Sequence, residues 1–160
     1  MHRLAILILM FASIAAGAPD RDMLAITIAT ANLSDNTSQA YEAPGIRILQ
    51  ALKPDILAIQ EFNYRTGTSQ DLARRIFGPA YGFSREKGGA RLPNGIISRY
   101  PVIAFGQWED PYVQNRQFAW ATIGIPGPKR LHVVSVHLVQ NHSERRVPEA
   151  RHLLQLIRKQ

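Results

Sequence analysis

The chain of 160 residues contains no cysteine, and this absence excludes several classes of site at once. Disulfide bonds, thiolate-bound metals and cysteine nucleophiles cannot occur. Acidic residues are scarce as well: 12 Asp and Glu face 19 Lys and Arg, and the formal net charge is +7. With 19% charged and 46% apolar residues, the chain is typical of one globular domain rather than a disordered tail. The positive charge favours anionic partners, although many basic proteins bind none.

Long apolar runs are also absent, except at the N-terminus. His2 and Arg3 precede about 13 mostly apolar residues, Leu4 to Ala16, and further small residues follow. This run is shorter than the roughly 20 residues that span a bilayer, and its basic start and small-residue exit are typical of a secretion signal. We therefore predict a signal peptide over residues 1–18 and a mature chain over 19–160. The mature chain is expected to be secreted or periplasmic, without a stable membrane span; an uncleaved anchor is the alternative.

Apolar periodicity after the leader predicts alternating strands and helices. Strands are predicted over 23–32, 56–60, 94–98, 102–108, 117–125 and 131–138, with one more short strand in the loop 81–93. Helices are predicted over 42–52, 69–77 and 144–160, and 35–39 is expected to be a polar loop. Ser69 is expected to cap the second helix. The third helix is expected to gather apolar residues on one side: Val147, Ala150, Leu153, Leu154 and Ile157. This order of elements predicts an α/β fold with a mixed sheet and helices on its outer face.

Three polar residues stand at the ends of predicted strands. These residues are Asn32, Glu61 and His137, and a strand end fixes a side chain at the rim where ligands bind in α/β folds. A carboxylate after a buried strand needs a partner, and Mg²⁺ prefers such oxygen ligands. The structural alternatives are a salt bridge for Glu61, a turn for Asn32 and a core hydrogen bond for His137.

Two further side chains could act on a phosphate. The imidazole of His137 could protonate a leaving oxygen or steady a phosphate, whereas His132 is expected on the opposite face of the same strand. Arg116 precedes a strand, and its planar guanidinium suits phosphate, with simple solvation as the alternative. The basic residues of the last helix predict a solvated face rather than a nucleic-acid groove.

Five short segments occur in a recognisable order: Thr30–Leu33, Leu52–Glu61, Asn94–Pro101, Arg116–Ala121 and Val134–Leu138. Together they resemble the endonuclease/exonuclease/phosphatase superfamily, which includes DNase I-like nucleases and sphingomyelinases. The segments that end in Gln60-Glu61 and in Ser98-Arg99-Tyr100-Pro101 are the most specific. The resemblance covers about residues 24–158. It implies the DNase I-like four-layer fold, a mixed β-sheet sandwich flanked by helices.

The resemblance also implies roles for the candidate residues. Glu61 would bind a divalent cation such as Mg²⁺, and Asn32 would support the cation or the phosphate. Arg116 would contact phosphate, and His137 would be one of the family's two active-site histidines, so Glu61 and His137 are the catalytic candidates. The implied reaction is attack of water on the phosphorus of a phosphodiester, with nucleic acid as one candidate substrate and the metal stabilising the departing oxygen.

Two segments of the family pattern do not occur in this sequence. One is G-D-x-N, whose Asp and Asn hold the attacking water and the phosphate, and the other is S-D-H, whose His is the general base. We therefore expect the N-terminal part of a phosphoesterase domain, incomplete at its C-terminus, with weak or no activity as it stands. A non-catalytic module that binds nucleic acid or another polyanion is the alternative. A complementing C-terminal half, carried by a second chain, is a third hypothesis.

Overall fold

The computed structural model describes residues 24–33, 42–87 and 92–160. The predicted signal peptide over 1–18 and the predicted polar loop over 35–39 lie outside these ranges, as does the first residue of the first predicted strand. Among the helices of the described ranges, none is both long enough and apolar enough to cross a membrane.

Four strands form the first sheet in the order β1-β2-β4-β3. They are β1 (Ile28–Asn32), β2 (Ile56–Gln60), β3 (Gly82–Arg85) and β4 (Gly95–Ser98). β1 and β2 are parallel, with Asn32 opposite Gln60, whereas β4 runs antiparallel to both of its neighbours. The carboxyl ends of β1 and β2 therefore meet at one edge of this mixed sheet.

Three antiparallel strands form the second sheet in the order β5-β6-β7. They are β5 (Val102–Trp108), β6 (Phe118–Ile123) and β7 (Leu131–Ser135). A register shift between Val102 and Ala104 marks a bulge in β5. The two sheets pack face to face through a buried apolar cluster that contains Ile56, Ile96, Ala121 and Ile123.

Two helices cover the outer face of the first sheet: α1 (Glu42–Leu52) and α2 (Ser69–Phe77). Their buried apolar side chains pack with those of β2 and β4 in one core, which includes Ile46, Leu49, Leu57, Ile59, Leu72, Ile76 and Ile97. The predicted cap of α2 is wrong by one residue. Thr68 accepts from the Asp71 N–H while Asp71 accepts from the Thr68 N–H, whereas Ser69 is already the first residue of the helix and its hydroxyl donates to Phe62 O.

The third helix, α3 (Ser143–Ile157), lies against the other face of the second sheet. The ring of His152 lies near that of Phe118 in β6. Side chains alternate along a strand, so Phe118 points away from the first sheet while its neighbour Ala119 points toward it. The apolar side predicted for this helix is largely the exposed one, since Val147 is 56% exposed and Leu154 is 51% exposed. The inward side instead carries a fully buried glutamate, which the functional site below explains.

The structure confirms the predicted mixed α/β sandwich flanked by helices. The bounds of β2, β5 and α1 coincide with the prediction, because each has a clear apolar period and a defined stop. The predicted last strand is too long: β7 ends at Ser135 rather than at residue 138. Residues 136–138 leave the sheet, and this departure matters for the site.

Candidate functional site

The polar strand-end residues predicted from the sequence meet at one edge of the sandwich. Asn32 Nδ2 donates to Glu61 Oε1 at 3.1 Å, and His137 Nε2 lies 3.9 Å from the same carboxylate oxygen. Asn32 ends β1, Glu61 follows β2, and His137 follows β7 by two residues. The fold thus brings these three side chains together, while their chemical roles stay predictions.

Glu61 owes its direction to an unusual backbone. Its φ is +53°, in the left-handed region that residues with a side chain rarely adopt. The next residue, Phe62, is fully buried, and its N–H donates to Pro93 O at 2.7 Å. These contacts turn the chain out of β2 and leave the Glu61 carboxylate beside Asn32 and His137. Backbone strain of this kind is found at functional sites when the surrounding structure enforces it.

A buried polar bridge connects β2 to β7 next to the site. Ser135 Oγ donates to Ile59 O at 2.9 Å and accepts from Gln60 Nε2 at 3.1 Å. Gln60 Oε1 in turn accepts from Thr30 Oγ1 in β1. One hydroxyl group therefore fixes the end of β7 against the end of β2, and with it the approach of His137 to Glu61.

Arg116 lies at the same edge, but it is only 6% exposed and its guanidinium faces the protein. Nε donates to His137 O, Nη2 donates to Leu138 O at 2.9 Å, and Nη1 donates to Asn115 Oδ1 at 3.0 Å. Three of the five N–H groups of an arginine are thus used within the chain. The phosphate contact implied by the resemblance stays a prediction, and only the two other N–H groups could make it.

Glu149 is a part of this region that the sequence reasoning missed. It is fully buried in α3, and its two oxygens accept from the Val139 N–H at 2.9 and 3.2 Å. Burial raises the pKa of Glu149 to about 7; the Val139 N–H opposes this shift and a hydrogen bond with Asp110 adds to it. No sequence signal separates Glu149 from the other charged residues of α3, because only the packing shows which side of the helix faces inward.

Glu86 is a second buried carboxyl group that the sequence did not reveal. It is 2% exposed, and its Oε2 accepts from the Gln117 N–H at 2.9 Å. The fully buried Asn94 donates to Gln117 O at 2.6 Å. Burial raises the pKa of Glu86 to about 7. The backbone next to Arg116 is therefore held from both sides by buried polar groups.

The environment of His137 favours a neutral ring. Burial, together with the positive charge of Arg116, lowers the pKa of His137 to about 4, despite the Glu61 carboxylate 3.9 Å away. At neutral pH this contact therefore joins a neutral imidazole to a carboxylate and is not an ion pair. Nδ1 of His137 is buried and makes no hydrogen bond within the described ranges. Of the two roles predicted for His137, this state favours a hydrogen bond to phosphate over a stored proton.

The oxygen ligands at this edge fit a hard cation. A carboxylate from Glu61 and an amide oxygen from Asn32 match the donor set of Mg²⁺, which usually keeps several waters and takes one or two carboxylates. In the part of the chain that the structure describes, His, Asp and Glu side chains form no group of three that could hold a metal.

Comparison with solved structures identifies the fold. No protein-family model matches the sequence, and no curated protein matches it either. A truncated TDP2 from Caenorhabditis elegans superposes with a TM-score of 0.68 at 15% identity, over 84% of this chain and 55% of that one. An endonuclease/exonuclease/phosphatase from Beutenbergia cavernae superposes with a TM-score of 0.56 at 14% identity, over 82% of this chain and 43% of that one. The chain has the endonuclease/exonuclease/phosphatase fold.

A third structure with the endonuclease/exonuclease/phosphatase fold was solved with nucleic acid bound. It is the 3′ phosphatase NExo from Neisseria in complex with a product DNA hairpin, with a TM-score of 0.57 at 21% identity, over 84% of this chain and 52% of that one. This chain spans about half the length of the solved structures that it matches. The DNase I-like fold predicted from the sequence is confirmed. At these identities the likeness shows the fold alone, so activity is a matter for proposal.

Proposed function

We propose that this chain supplies the cation-binding and phosphate-binding part of a metal-dependent phosphoesterase site that acts on phosphodiesters. One observation carries the proposal: the turn after β2 holds the Glu61 carboxylate 3.1 Å from the Asn32 amide and 3.9 Å from the His137 imidazole. The likeness to a 3′ phosphatase bound to DNA supports nucleic acid as a substrate class.

Each residue of the site would have a distinct task. Glu61 and Asn32 would hold a divalent cation through their oxygen atoms, and Mg²⁺ is the candidate because it prefers such ligands. When bound, the cation would stabilise the negative charge on the departing oxygen. The neutral ring of His137 would donate a hydrogen bond to a phosphate oxygen. The leader predicted over residues 1–18 supports an exported protein, so the site would act outside the cytoplasm.

Cation binding can be tested directly with Mn²⁺, whose free ion gives a sharp electron paramagnetic resonance spectrum. We expect Glu61→Gln to weaken Mn²⁺ binding by roughly tenfold or more, because it removes the carboxylate that would bind the cation. Asp55→Asn is the matched control, since Asp55 is similarly buried but pairs with Arg99 at the opposite end of β2. Equal weakening in both variants, or no weakening in Glu61→Gln, would contradict the proposal.

A second measurement separates this proposal from the polyanion-binding alternative. Binding of a fluorescent single-stranded DNA is followed with and without Mg²⁺ and at increasing salt. A site of the proposed kind predicts a Mg²⁺-dependent component of binding that Glu61→Gln removes. If the DNA affinity falls with salt but is unchanged by a chelator and by Glu61→Gln, the result would instead favour a module that recognises only charge.

A further inference from the structure

Among the described residues, no strand pairs with the segment that carries His137, yet several of its backbone groups are held by side chains. β7 ends at Ser135, and the carbonyls of His137 and Leu138 accept from Arg116. The next N–H, that of Val139, donates to Glu149. We call Arg116 and Glu149 the histidine bracket. Its members come from the segment before β6 and from α3, on opposite sides of His137 in the sequence.

The charged nature of the bracket needs an explanation, because burying a guanidinium and a carboxyl group is costly. Arg116 is 6% exposed and Glu149 is fully buried. Apolar side chains would fill the same space more cheaply, but they would leave two carbonyls and one N–H unsatisfied. The planar guanidinium can take two neighbouring carbonyls at once, which fixes the orientation of the peptide between His137 and Leu138.

We propose that Arg116 and Glu149 are positioning residues, which hold the His137 ring against the Glu61 carboxylate. The importance of this contact rests on the proposed function, but the bracket itself is a matter of geometry. The proposal gives Arg116 a different task from the phosphate contact implied by the sequence resemblance. It also explains why α3 turns a glutamate inward while Val147 and Leu154 face solvent.

The test measures the contact between His137 and Glu61 without requiring hydrolysis. The full chain is labelled with ¹³C-histidine, and the Cε1–H resonance of His137 is assigned with His137→Gln. Glu61→Gln removes a charge 3.9 Å from the ring, so it should shift this resonance. We expect that response to be lost when Arg116→Gln is present, because the ring is no longer held in place. Arg116→Lys should restore it only in part, since an ammonium cannot align two carbonyls in one plane.

Arg146→Gln is the matched control. Arg146 also donates to two carbonyls of this segment, those of Val139 and Gln140, but to neither of the carbonyls that Arg116 holds. The response to Glu61→Gln should survive in this variant and in Glu149→Gln, which keeps an acceptor for Val139, but not in Glu149→Ala. Urea unfolding of each variant confirms that the spectra report folded protein. If Arg116→Gln does not fold, Arg116→Lys carries the same comparison.

A folded Arg116 variant in which Glu61→Gln moves the His137 resonance as it does in the wild type would overturn the proposal. An equal loss of the response in Arg146→Gln would also overturn it, because the position of the His137 ring would then not depend on the bracket in particular. Failure of the chain to bind Mn²⁺ would count against the proposed function alone. The two failures are distinguishable because the resonance experiment contains no metal.

Discussion

Glu61 and His137 lie 3.9 Å apart, but the protein holds them by different means. The cation side of the site, Asn32 and Glu61, is set by the main chain: β1 and β2 pair in parallel, and a left-handed turn follows β2. The histidine side, the segment 135–139, is set by the buried side chains of Ser135, Arg116 and Glu149. Main-chain pairing is insensitive to most substitutions and to pH, whereas buried polar side chains are sensitive to both.

The largest effect that this contrast predicts concerns Glu86, which braces the backbone next to Arg116. The pKa of Glu86 is about 7 in the folded chain and near 4.5 in the unfolded chain. Between pH 4.5 and pH 7, the unfolded chain therefore releases a proton that the folded chain keeps. The free-energy contribution of Glu86 to stability is therefore fully present below pH 4.5 and is lost as the pH rises to 7. The loss is at most about 3 kcal/mol.

Glu86→Gln tests this prediction, because the amide stays neutral and can still accept from the Gln117 N–H. We expect the free energy of unfolding of the variant to rise relative to the wild type as the pH increases from 4.5 to 7, as measured by urea unfolding. A difference that does not change with pH would show that Glu86 ionises alike in both states. The backbone next to Arg116 would then lack the predicted dependence on a buried proton.

The next largest effect concerns Ser135, which bridges β7 to β2. Ser135→Ala removes a fully buried hydroxyl and leaves Ile59 O and Gln60 Nε2 without this partner, so we expect a loss of about 2 kcal/mol in the free energy of unfolding. Ser84→Ala is the matched control. Ser84 is 5% exposed, and its hydroxyl makes no hydrogen bond within the described ranges, so its removal should be nearly neutral. Similar losses in both variants would mean that burial, and not the bridge, sets the cost.

The same contrast explains what could be predicted from the sequence. On the cation side, the apolar run 56–60 fixes β2, and Glu61 directly follows it, so local pattern alone places the carboxylate at the sheet edge. The pairing of β1 with β2 then brings Asn32 beside it. The pattern within a few residues of each side chain places it at a strand end, and the parallel pairing of the two strands supplies the rest.

The histidine side could not be predicted in the same way. The apolar alternation continues through residue 138, but β7 ends at Ser135, and Arg116 and Glu149 contact the backbone of the segment that follows. These partners are distant in sequence, and an inward glutamate in α3 contradicts its apolar pattern. A pattern in one segment cannot report a hydrogen bond made by another, so the strand was predicted too long and the helix was assigned the wrong buried side.

The smallest predicted effect tests whether the backbone really sets the cation side. Because Glu61 has φ +53°, Glu61→Gly should be more stable than Glu61→Ala by about 1 kcal/mol, since only glycine adopts this conformation without steric cost. Lys53, with φ +46°, offers a matched pair of variants on the surface. There, Lys53→Gly should likewise be more stable than Lys53→Ala. Urea unfolding measures both differences. If glycine is favoured at residue 53 but not at residue 61, the chain after β2 relaxes once the carboxylate is removed. The turn would then depend on the Glu61 side chain and its neighbours, and the cation side would be held by side chains just as the histidine side is.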